Sequence, residues 1–294
     1  EVNDLLGHDA GDELLRHFAQ KLLLALPGTA TIARIGGDEF AVLLPGITST
    51  HDLTRHCDAI FESLKESFRF ASRNVECRTS IGAALYPDHG QRSSELMKHA
   101  DLALYSAKTS GRGRLMIFET SMHDEMRRRV AMVNRGRAAV EENAIIPYYQ
   151  PKVSMVTGNI VGFEALLRWR DRRGRIFTPA TISAAFEELD VAEAMGMAML
   201  DSVLHDMILW RGMGLPFGHV AVNAAPAEFR RHILAERVIE GLERTGIPPR
   251  QLQLEVTEGV FLGRGAEHAE STIRQLHDYG VNIALHDFGT RCGS

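Results

Sequence analysis

The sequence predicts an α+β domain followed by a domain of β/α units, and two patterns indicate this order. Up to about Glu119, helical segments alternate with short hairpin-like strands, which is typical of an α+β sheet domain. From Ile145 onward, strands alternate with long helical segments, which favours β/α units. The 294 residues are enough for two domains or one large barrel. We therefore expect domains at 1–119 and 143–294, joined by a helix at 120–142.

The elements of the first domain follow from apolar spacing and from turn residues. Leu14, Leu15, Phe18 and Leu22 recur at helical spacing, which predicts an amphipathic helix. The same spacing assigns two further helices, the second closed by Gly111. The predicted elements are, in order, helix 12–25, hairpin 31–44, helix 52–68, strand 79–86, helix 94–108 and strand 115–118.

A charged segment with a narrow apolar stripe follows the first domain. The stripe predicts a connecting helix over 120–142, and a terminal helix of the first domain is the alternative. The predicted strands of the second domain are 145–153, 160–167, 219–223, 252–256 and 281–285. The predicted helical stretches are 180–211, 226–245 and 266–279.

Composition excludes several classes of protein. The formal net charge of −5 argues against binding to a nucleic-acid polymer, although a mononucleotide or dinucleotide needs only a few local cations. Three scattered cysteines argue for a reducing compartment and against a disulfide or zinc framework. No apolar run approaches the ~18 residues of a membrane span. We expect a cytoplasmic segment whose ends look cut, so that any membrane anchor lies in the parent protein.

Two glycines directly precede an acidic pair at the predicted hairpin turn. Gly36 and Gly37 allow positive φ and close approach of a ligand to the backbone. Asp38 and Glu39 follow at the tip, where carboxylates can hold Mg²⁺ against phosphates. Taken alone, the pattern is also compatible with an ordinary turn.

Four of the predicted strands of the second domain end on a side chain with oxygen atoms. These residues are Glu164, Asn223, Glu255 and Asp287. Catalytic groups lie at the C-terminal ends of strands in (β/α)₈ barrels. Three carboxylates and an amide there would suit Mg²⁺ or Mn²⁺. Any one of them alone could be a strand-end cap or a turn former.

The two motifs resemble two families when read together. Gly-Gly-Asp-Glu-Phe at 36–40 resembles the signature of the GGDEF family of diguanylate cyclases. Phe-Glu-Ala-Leu-Leu-Arg-Trp at 163–169 resembles the EAL family of cyclic-di-GMP phosphodiesterases. The resemblance implies a GGDEF domain, with a nucleotidyl-cyclase-like sheet and flanking helices, followed by an incomplete EAL-type (β/α)₈ TIM-like barrel.

The GGDEF resemblance implies a GTP site in the first domain. Asp38 would be catalytic and bind the metal, and Glu39 would be the second catalytic residue of the signature. The implied substrate-binding residues are Asn3 and Asp12 at guanine, Lys108 and Arg112 at the triphosphate, and Gly36 and Gly37 at the turn. Asp12 could instead be a helix N-cap or a first-turn acid, and the two cations could be a solvated helix C-terminus.

The implied first reaction joins two GTP molecules into cyclic-di-GMP, so a homodimer is implied. The family's metal-binding Asp upstream of Asn3 is not in this sequence, and we therefore expect the segment as given not to cyclise GTP. The family's inhibitory product site needs an Arg and an Asp before the hairpin, whereas 27–30 reads Pro-Gly-Thr-Ala. We expect no product feedback through that site.

The EAL resemblance implies metal-dependent hydrolysis of cyclic-di-GMP to pGpG. It makes Glu164 catalytic and a metal ligand, together with Asn223, Glu255 and Asp287. The implied substrate-binding residues are Gln150, Leu166 and Arg168, and Glu258 would support a loop. The implied cofactor is Mg²⁺ or Mn²⁺, and the partners are GTP and cyclic-di-GMP.

One departure from the EAL pattern concerns the metal site. His286 stands where the family has the first of two adjacent aspartates. A carboxylate can bridge two cations, whereas a neutral imidazole offers one lone pair to one metal. We therefore expect weaker binding of a second metal and low or absent hydrolysis. The family's later strands also lie beyond this sequence, so we expect the segment itself to be inactive. A degenerate GTP or cyclic-di-GMP receptor is the alternative function.

Overall fold

The structure is a computed structural model that describes residues 7–70, 73–75, 77–231, 233–261 and 266–286. The chain divides into two compact units, Glu1–Met126 and Arg127–Ser294. This division falls inside a helix at Ser121–Glu141, close to the predicted connecting helix. The domain limits 1–119 and 143–294 stay predictions.

The first unit alternates helices and short strands, in agreement with the sequence pattern. Its elements are α1 (His8–Ala25), β1 (Thr31–Gly36), β2 (Glu39–Leu43), α2 (Thr50–Ser63), β3 (Phe68–Phe70), β4 (Arg73–Val75), β5 (Ile81–Ala83), α3 (Ser93–Thr109) and β6 (Leu115–Ile117). The helix that crosses the division between the units is α4 (Ser121–Glu141).

The described strands of the first unit form three two-stranded sheets. β1 pairs with β2 and β3 with β4, both antiparallel, whereas β5 and β6 are parallel and α3 connects them. The β5 backbone packs directly on α3. An added Cβ at Gly82 would lie 2.0 Å from the backbone nitrogen of Leu104, so glycine is needed there.

A small apolar core joins α1 and α2. Leu22 and Leu26 are buried against Ile60 and Leu64, and Phe40 of the hairpin packs on them. Phe18 and Leu22 of the hydrophobic stripe predicted for the first helix therefore belong to this core, as their spacing indicates.

Three predictions for the first unit need correction. The helix predicted over 52–68 ends at Ser63, and Phe68 begins β3. Phe68 and Phe70 are two residues apart, which is the period of a strand, and the sequence analysis missed this hairpin. The strand predicted over 79–86 is only Ile81–Ala83.

The second unit is built of strands and covering helices. Its elements are β7 (Ile145–Val153), β8 (Ile160–Arg170), β9 (Ile176–Phe177), a 3₁₀ helix (Pro179–Glu187), α5 (Leu189–Gly212), β10 (His219–Ala224), a 3₁₀ helix (Pro226–Arg230), α6 (Leu234–Thr245), a 3₁₀ helix (Pro249–Gln251), β11 (Leu252–Thr257), a 3₁₀ helix (Glu258–Phe261), α7 (Ala266–Tyr279) and β12 (Asn282–His286).

These strands form one sheet in the order β12-β11-β10-β8-β7, with β9 attached to β8. β7 and β8 are an antiparallel pair, whereas β8, β10, β11 and β12 run parallel. Within the described residues the sheet is open, with β7 and β12 at its edges, and no closed barrel is present. The incomplete (β/α)₈ barrel stays a prediction.

The core of the second unit lies between the helices and one face of this sheet. Met195, Leu204 and Met207 of α5 are buried in the same cluster as Val220 and Leu252 of the strands. Because strand neighbours alternate between faces, residues one position away point to the opposite face.

Among the described residues, no helix combines the length and apolar character needed to span a membrane.

Candidate active site

Strand register places polar side chains of the second unit on one face of the sheet. Gln150 pairs with Glu164 across β7 and β8, and Asn223 pairs with Glu255 across β10 and β11. The pairings of β10 with β8 and of β11 with β12 place His286 on the same face. This is the face opposite the helix-covered core.

Three of these side chains converge into a cluster that could hold a metal ion. Glu164, Glu255 and His286 each offer one ligand atom, and these atoms lie within 4.8 Å of one another. The Nδ2 of Asn223 donates a hydrogen bond of 2.8 Å to Glu164 Oε1. The structure thus brings together three predicted metal ligands and the histidine. Asp287 lies outside the described residues.

The donor set fits a divalent cation. Glu255 is only 4% exposed. Lys152 and Gln253 both donate to its Oε1, Gln253 at 3.1 Å. Within the described part of the chain, its Oε2 is buried and accepts no hydrogen bond. A buried carboxylate oxygen without a partner is costly, and a divalent cation would satisfy it.

The Lys152 ammonium contacts Glu255 at one end of the cluster and also affects the protonation of His219. Burial first, and then the Lys152 ammonium, hold the pKa of His219 below its ordinary value, so this imidazole is neutral near pH 7. His219 lies beside Gly162, where an added Cβ would come within 2.7 Å of the ring. Gly162 therefore allows the close approach of β10 to β8 two residues before Glu164.

The predicted substrate residues of β8 lie farther along the same face. Arg168 is four residues beyond Glu164, about 13 Å along an extended strand. Its Nη1 donates to the Leu167 carbonyl at 2.8 Å, and its guanidinium carbon lies 5.8 Å from the ring centroid of Tyr148. Leu166 lies between Glu164 and Arg168 on this face. These side chains therefore lie beside the cluster on the same face of the sheet and are not part of it.

The prediction that the four oxygen-bearing residues end their strands is wrong for Glu164. β8 continues to Arg170, because it pairs with β7 along its length and with β9 at its end. Asn223 and Glu255 do lie in the last residues of β10 and β11. Glu258 begins the 3₁₀ helix that follows β11, and its loop-supporting role stays a prediction.

The hairpin of the first unit has the geometry that its glycines predict. Gly37 has φ +52°, and it lies with Asp38 between β1 and β2. Arg34 donates to the Gly37 carbonyl from Nε at 2.9 Å and from Nη2 at 2.7 Å. Asp38 is exposed at the tip, where its carboxylate is accessible to a ligand.

Two predicted residues of the first unit meet across the fold. Lys108, in the last turn of α3, donates to Glu39 Oε1 at 3.2 Å. Arg112 follows with φ +58°, and its amide donates to the Ala107 carbonyl at 3.0 Å. The end of α3 thus approaches the hairpin turn through its lysine.

Asp12 lines a cavity of about 260 Å³ together with Asp9, Glu13, Arg16 and Phe70. The alternative interpretation of Asp12 as an N-cap or a first-turn acid is wrong, because α1 begins at His8 after Gly7 and the acidic residue of its first turn is Asp9. Asn3 lies outside the described residues.

Lys152 and Gln253 are site residues that the sequence analysis missed. A signal was present, since Lys152 is two residues from Gln150 and Gln253 is two residues from Glu255. Strand periodicity alone would have placed both on the site face.

The chain matches two family models. Residues 133–294 match the EAL domain, and residues 1–114 match the "Diguanylate cyclase, GGDEF domain". The bifunctional diguanylate cyclase/cyclic di-GMP phosphodiesterase MucR of Pseudomonas aeruginosa is 34% identical over 98% of this chain and 42% of its own length. Cyclic di-GMP phosphodiesterase PdeR of Escherichia coli is 31% identical over 99% of this chain and 43% of its own length.

Solved structures give the same assignment. The PaMucR phosphodiesterase in complex with c-di-GMP matches with a TM-score of 0.50 and 32% identity over 56% of this chain and 66% of that one. The S helix-GGDEF-EAL part of Vibrio cholerae LapD matches with a TM-score of 0.55 and 17% identity over 99% of this chain and 67% of that one. At this identity the match shows the fold alone. The chain spans less than half the length of the two curated relatives. Since the EAL match covers more than half of it, the chain belongs to the EAL family and carries a GGDEF domain ahead of the EAL domain.

Proposed function

We propose that the second unit, within the parent protein, binds cyclic-di-GMP and hydrolyses it slowly to pGpG with a divalent metal ion. The observation that carries the proposal is the convergence of Glu164, Glu255 and His286 within 4.8 Å on the polar face of the sheet. The names of MucR and PdeR support the choice of substrate.

Each residue of the site has a proposed role. Glu164, Glu255 and His286 would hold the ion together with Asn223, and Asp287 is proposed as a further ligand. A divalent ion held here would neutralise phosphate charge and activate water. Gln150 faces Glu164 across the strands and would position the substrate. Arg168 would contact a substrate phosphate, and Leu166, which lies between Glu164 and Arg168, would also contact the substrate. The resemblance to the EAL family implies both roles.

The slow rate follows from the donor at position 286. An imidazole brings no negative charge and binds one cation, whereas an aspartate there could bridge two. The cluster therefore has one negative charge fewer and one bridging ligand fewer than a site with aspartate. We expect a second ion to bind weakly, so that phosphate charge is less well neutralised.

Incubation of the parent protein with cyclic-di-GMP and Mg²⁺ or Mn²⁺, followed by chromatography, tests the proposal. Slow formation of pGpG is expected, with about a tenfold or greater gain in His286→Asp, since a well-placed charge at the reacting phosphate is worth more than ~1.4 kcal/mol. Glu164→Gln should remove the activity. No pGpG from either the wild type or His286→Asp would refute the phosphodiesterase.

A receptor is the second candidate function, and His286 is the observation that favours it. Binding of cyclic-di-GMP by the wild type without turnover, under every metal condition, would assign the second unit to this class. Turnover gained only in His286→Asp would show that the histidine is the cause of inactivity.

For the first unit we propose a GTP site at the hairpin turn. Asp38 would bind the metal at the phosphates, and the contact between Glu39 and Lys108 would place the lysine beside them. Cyclisation needs two such sites facing each other, so the proposal includes a homodimer. Appearance of cyclic-di-GMP from GTP in the parent protein would support it; GTP binding without conversion would leave a GTP-sensing module.

A further inference from the structure

We infer that His286 makes the cluster of the second unit a mixed imidazole–carboxylate site that binds a transition metal ion of the Zn²⁺ class in preference to Mg²⁺. The inference rests on the metal site in the proposed function, but it does not rest on hydrolysis of cyclic-di-GMP. It concerns which ion the donor atoms of this chain select.

The spacing of the three donors suits one ion. Two ligand atoms on opposite sides of an ion, each at ~2.1 Å, are about 4.2 Å apart. No two of the three ligand atoms are more than 4.8 Å apart. The side chains therefore need to close by less than about 1 Å to bind one ion together.

A second observation, the unpaired carboxylate oxygen of Glu255, also indicates that a cation binds at the cluster. Within the described residues, Glu255 Oε2 is buried without a hydrogen-bond partner, whereas Oε1 accepts from Lys152 and Gln253. One oxygen of this carboxylate is thus held by the protein, and the other is left for a ligand. A cation beside the other two donors would remove the cost of this unpaired oxygen.

The identity of the third donor determines the selectivity. His286 is the last residue of β12, and its pairing with Thr257 of β11 sets it on the face of Glu255. Its ring is exposed, so an ion can reach it from solvent. Imidazole nitrogen suits Zn²⁺, Fe²⁺ and Ni²⁺, whereas Mg²⁺ prefers oxygen ligands and keeps several waters. Zn²⁺ binds both imidazole nitrogen and carboxylate oxygen, so it can use all three donors of the cluster.

The nearby charges do not explain such a preference. The Lys152 ammonium, in contact with Glu255, repels every divalent ion in the same sense. Asn223 is neutral and hydrogen-bonded to Glu164. The difference between Zn²⁺ and Mg²⁺ therefore depends on the histidine nitrogen.

Metal binding without nucleotide tests the inference in the whole protein. Titrations with Zn²⁺ and Mg²⁺ give the ratio of the two affinities for the wild type, His286→Asp and His286→Gln. His277→Gln is the matched control, because that side chain is 75% exposed on α7. We expect the ratio to fall by at least about tenfold in His286→Asp, since removing even a group behind a ligand costs that much. It should not change in His277→Gln.

Nitrogen NMR of histidine-labelled protein supplies a direct readout. Zn²⁺ should shift one ring-nitrogen resonance that is missing in both His286 variants and present in His277→Gln. An unchanged affinity ratio in His286→Asp, or a His286 resonance that Zn²⁺ does not move, would overturn the inference. Zn²⁺ bound through His286 in a protein that leaves cyclic-di-GMP intact would instead refute only the phosphodiesterase.

Discussion

Replacing Glu228 with glutamine should remove most of the pH dependence of the second unit's stability. Glu228 is 6% exposed in the 3₁₀ helix that follows β10. Its Oε1 accepts from the Ala225 amide at 2.7 Å, and its carboxyl packs against α5 at Gly196. Burial, with a smaller contribution from the charge of Glu193, raises its pKa from 4.5 to about 8, against the opposing hydrogen bond from Ala225.

The sign and size of the effect follow from this raised pKa. The folded state keeps the proton at pH values where the unfolded state has lost it. Stability is therefore fully present below the unfolded pKa of 4.5 and is lost as pH rises through about 8. One pKa unit is worth ~1.4 kcal/mol, so the loss is at most about 5 kcal/mol.

The glutamine cannot ionise and keeps an oxygen for the Ala225 amide. We therefore expect Glu228→Gln to be close to the wild type near pH ~5 and about 3–5 kcal/mol more stable near pH ~9. The raised pKa is a property of the buried carboxyl, so an exposed glutamate such as Glu240 serves as the control in Glu240→Gln.

Tryptophan fluorescence during urea unfolding measures this effect in the second unit. The chain has two tryptophans, Trp169 and Trp210, and both belong to that unit. The free energy of unfolding is determined from about pH 5 to pH 9 for the wild type and both variants. Parallel pH profiles for Glu228→Gln and the wild type would refute the reasoning.

Three further predictions concern single contacts. Gly196→Ala should destabilise the second unit by about 1–3 kcal/mol in urea unfolding, because the new Cβ would lie 1.9 Å from Glu228 Oε2. An unchanged unfolding midpoint would contradict this packing. Lys152→Met should raise the affinity for divalent metal ions by about tenfold in calorimetry, because it removes the positive charge that lies beside Glu255. Equal or weaker metal binding would contradict this prediction. Asp38→Asn should weaken Mg²⁺-dependent GTP binding by the first unit and leave its unfolding unchanged, because Asp38 is exposed; full retention of GTP affinity would exclude the metal role.

Much of the fold was predictable because its signals are local. The hairpin at 31–44 and the helix at 120–142 are found where turn residues and apolar spacing place them. The errors concern short elements: β3 and β4 were missed, and 3₁₀ helices replace the start of two predicted helices. Elements of a few residues are determined by what they pack against, and local propensity is a weak guide to them.

The site was predictable as a set of residues and less so as an arrangement. Strand periodicity indicates that Gln253 and Glu255 share a face, yet it gives no order of strands across the sheet. Glu164 and Glu255 meet although β10 lies between their strands. The length of β8 beyond Glu164 also depends on its partner strands, so the predicted strand end was wrong.

The sequence by itself determined the family signatures, the order of the two domains and the residues that differ from the family pattern, above all His286. Only the tertiary structure decided which of them meet. Lys152 reaches Glu255 across 103 residues of chain, and His286 joins two glutamates from other strands. The reason is physical: turn chemistry and periodicity act over a few residues, whereas convergence depends on sheet order, register and the burial of one face.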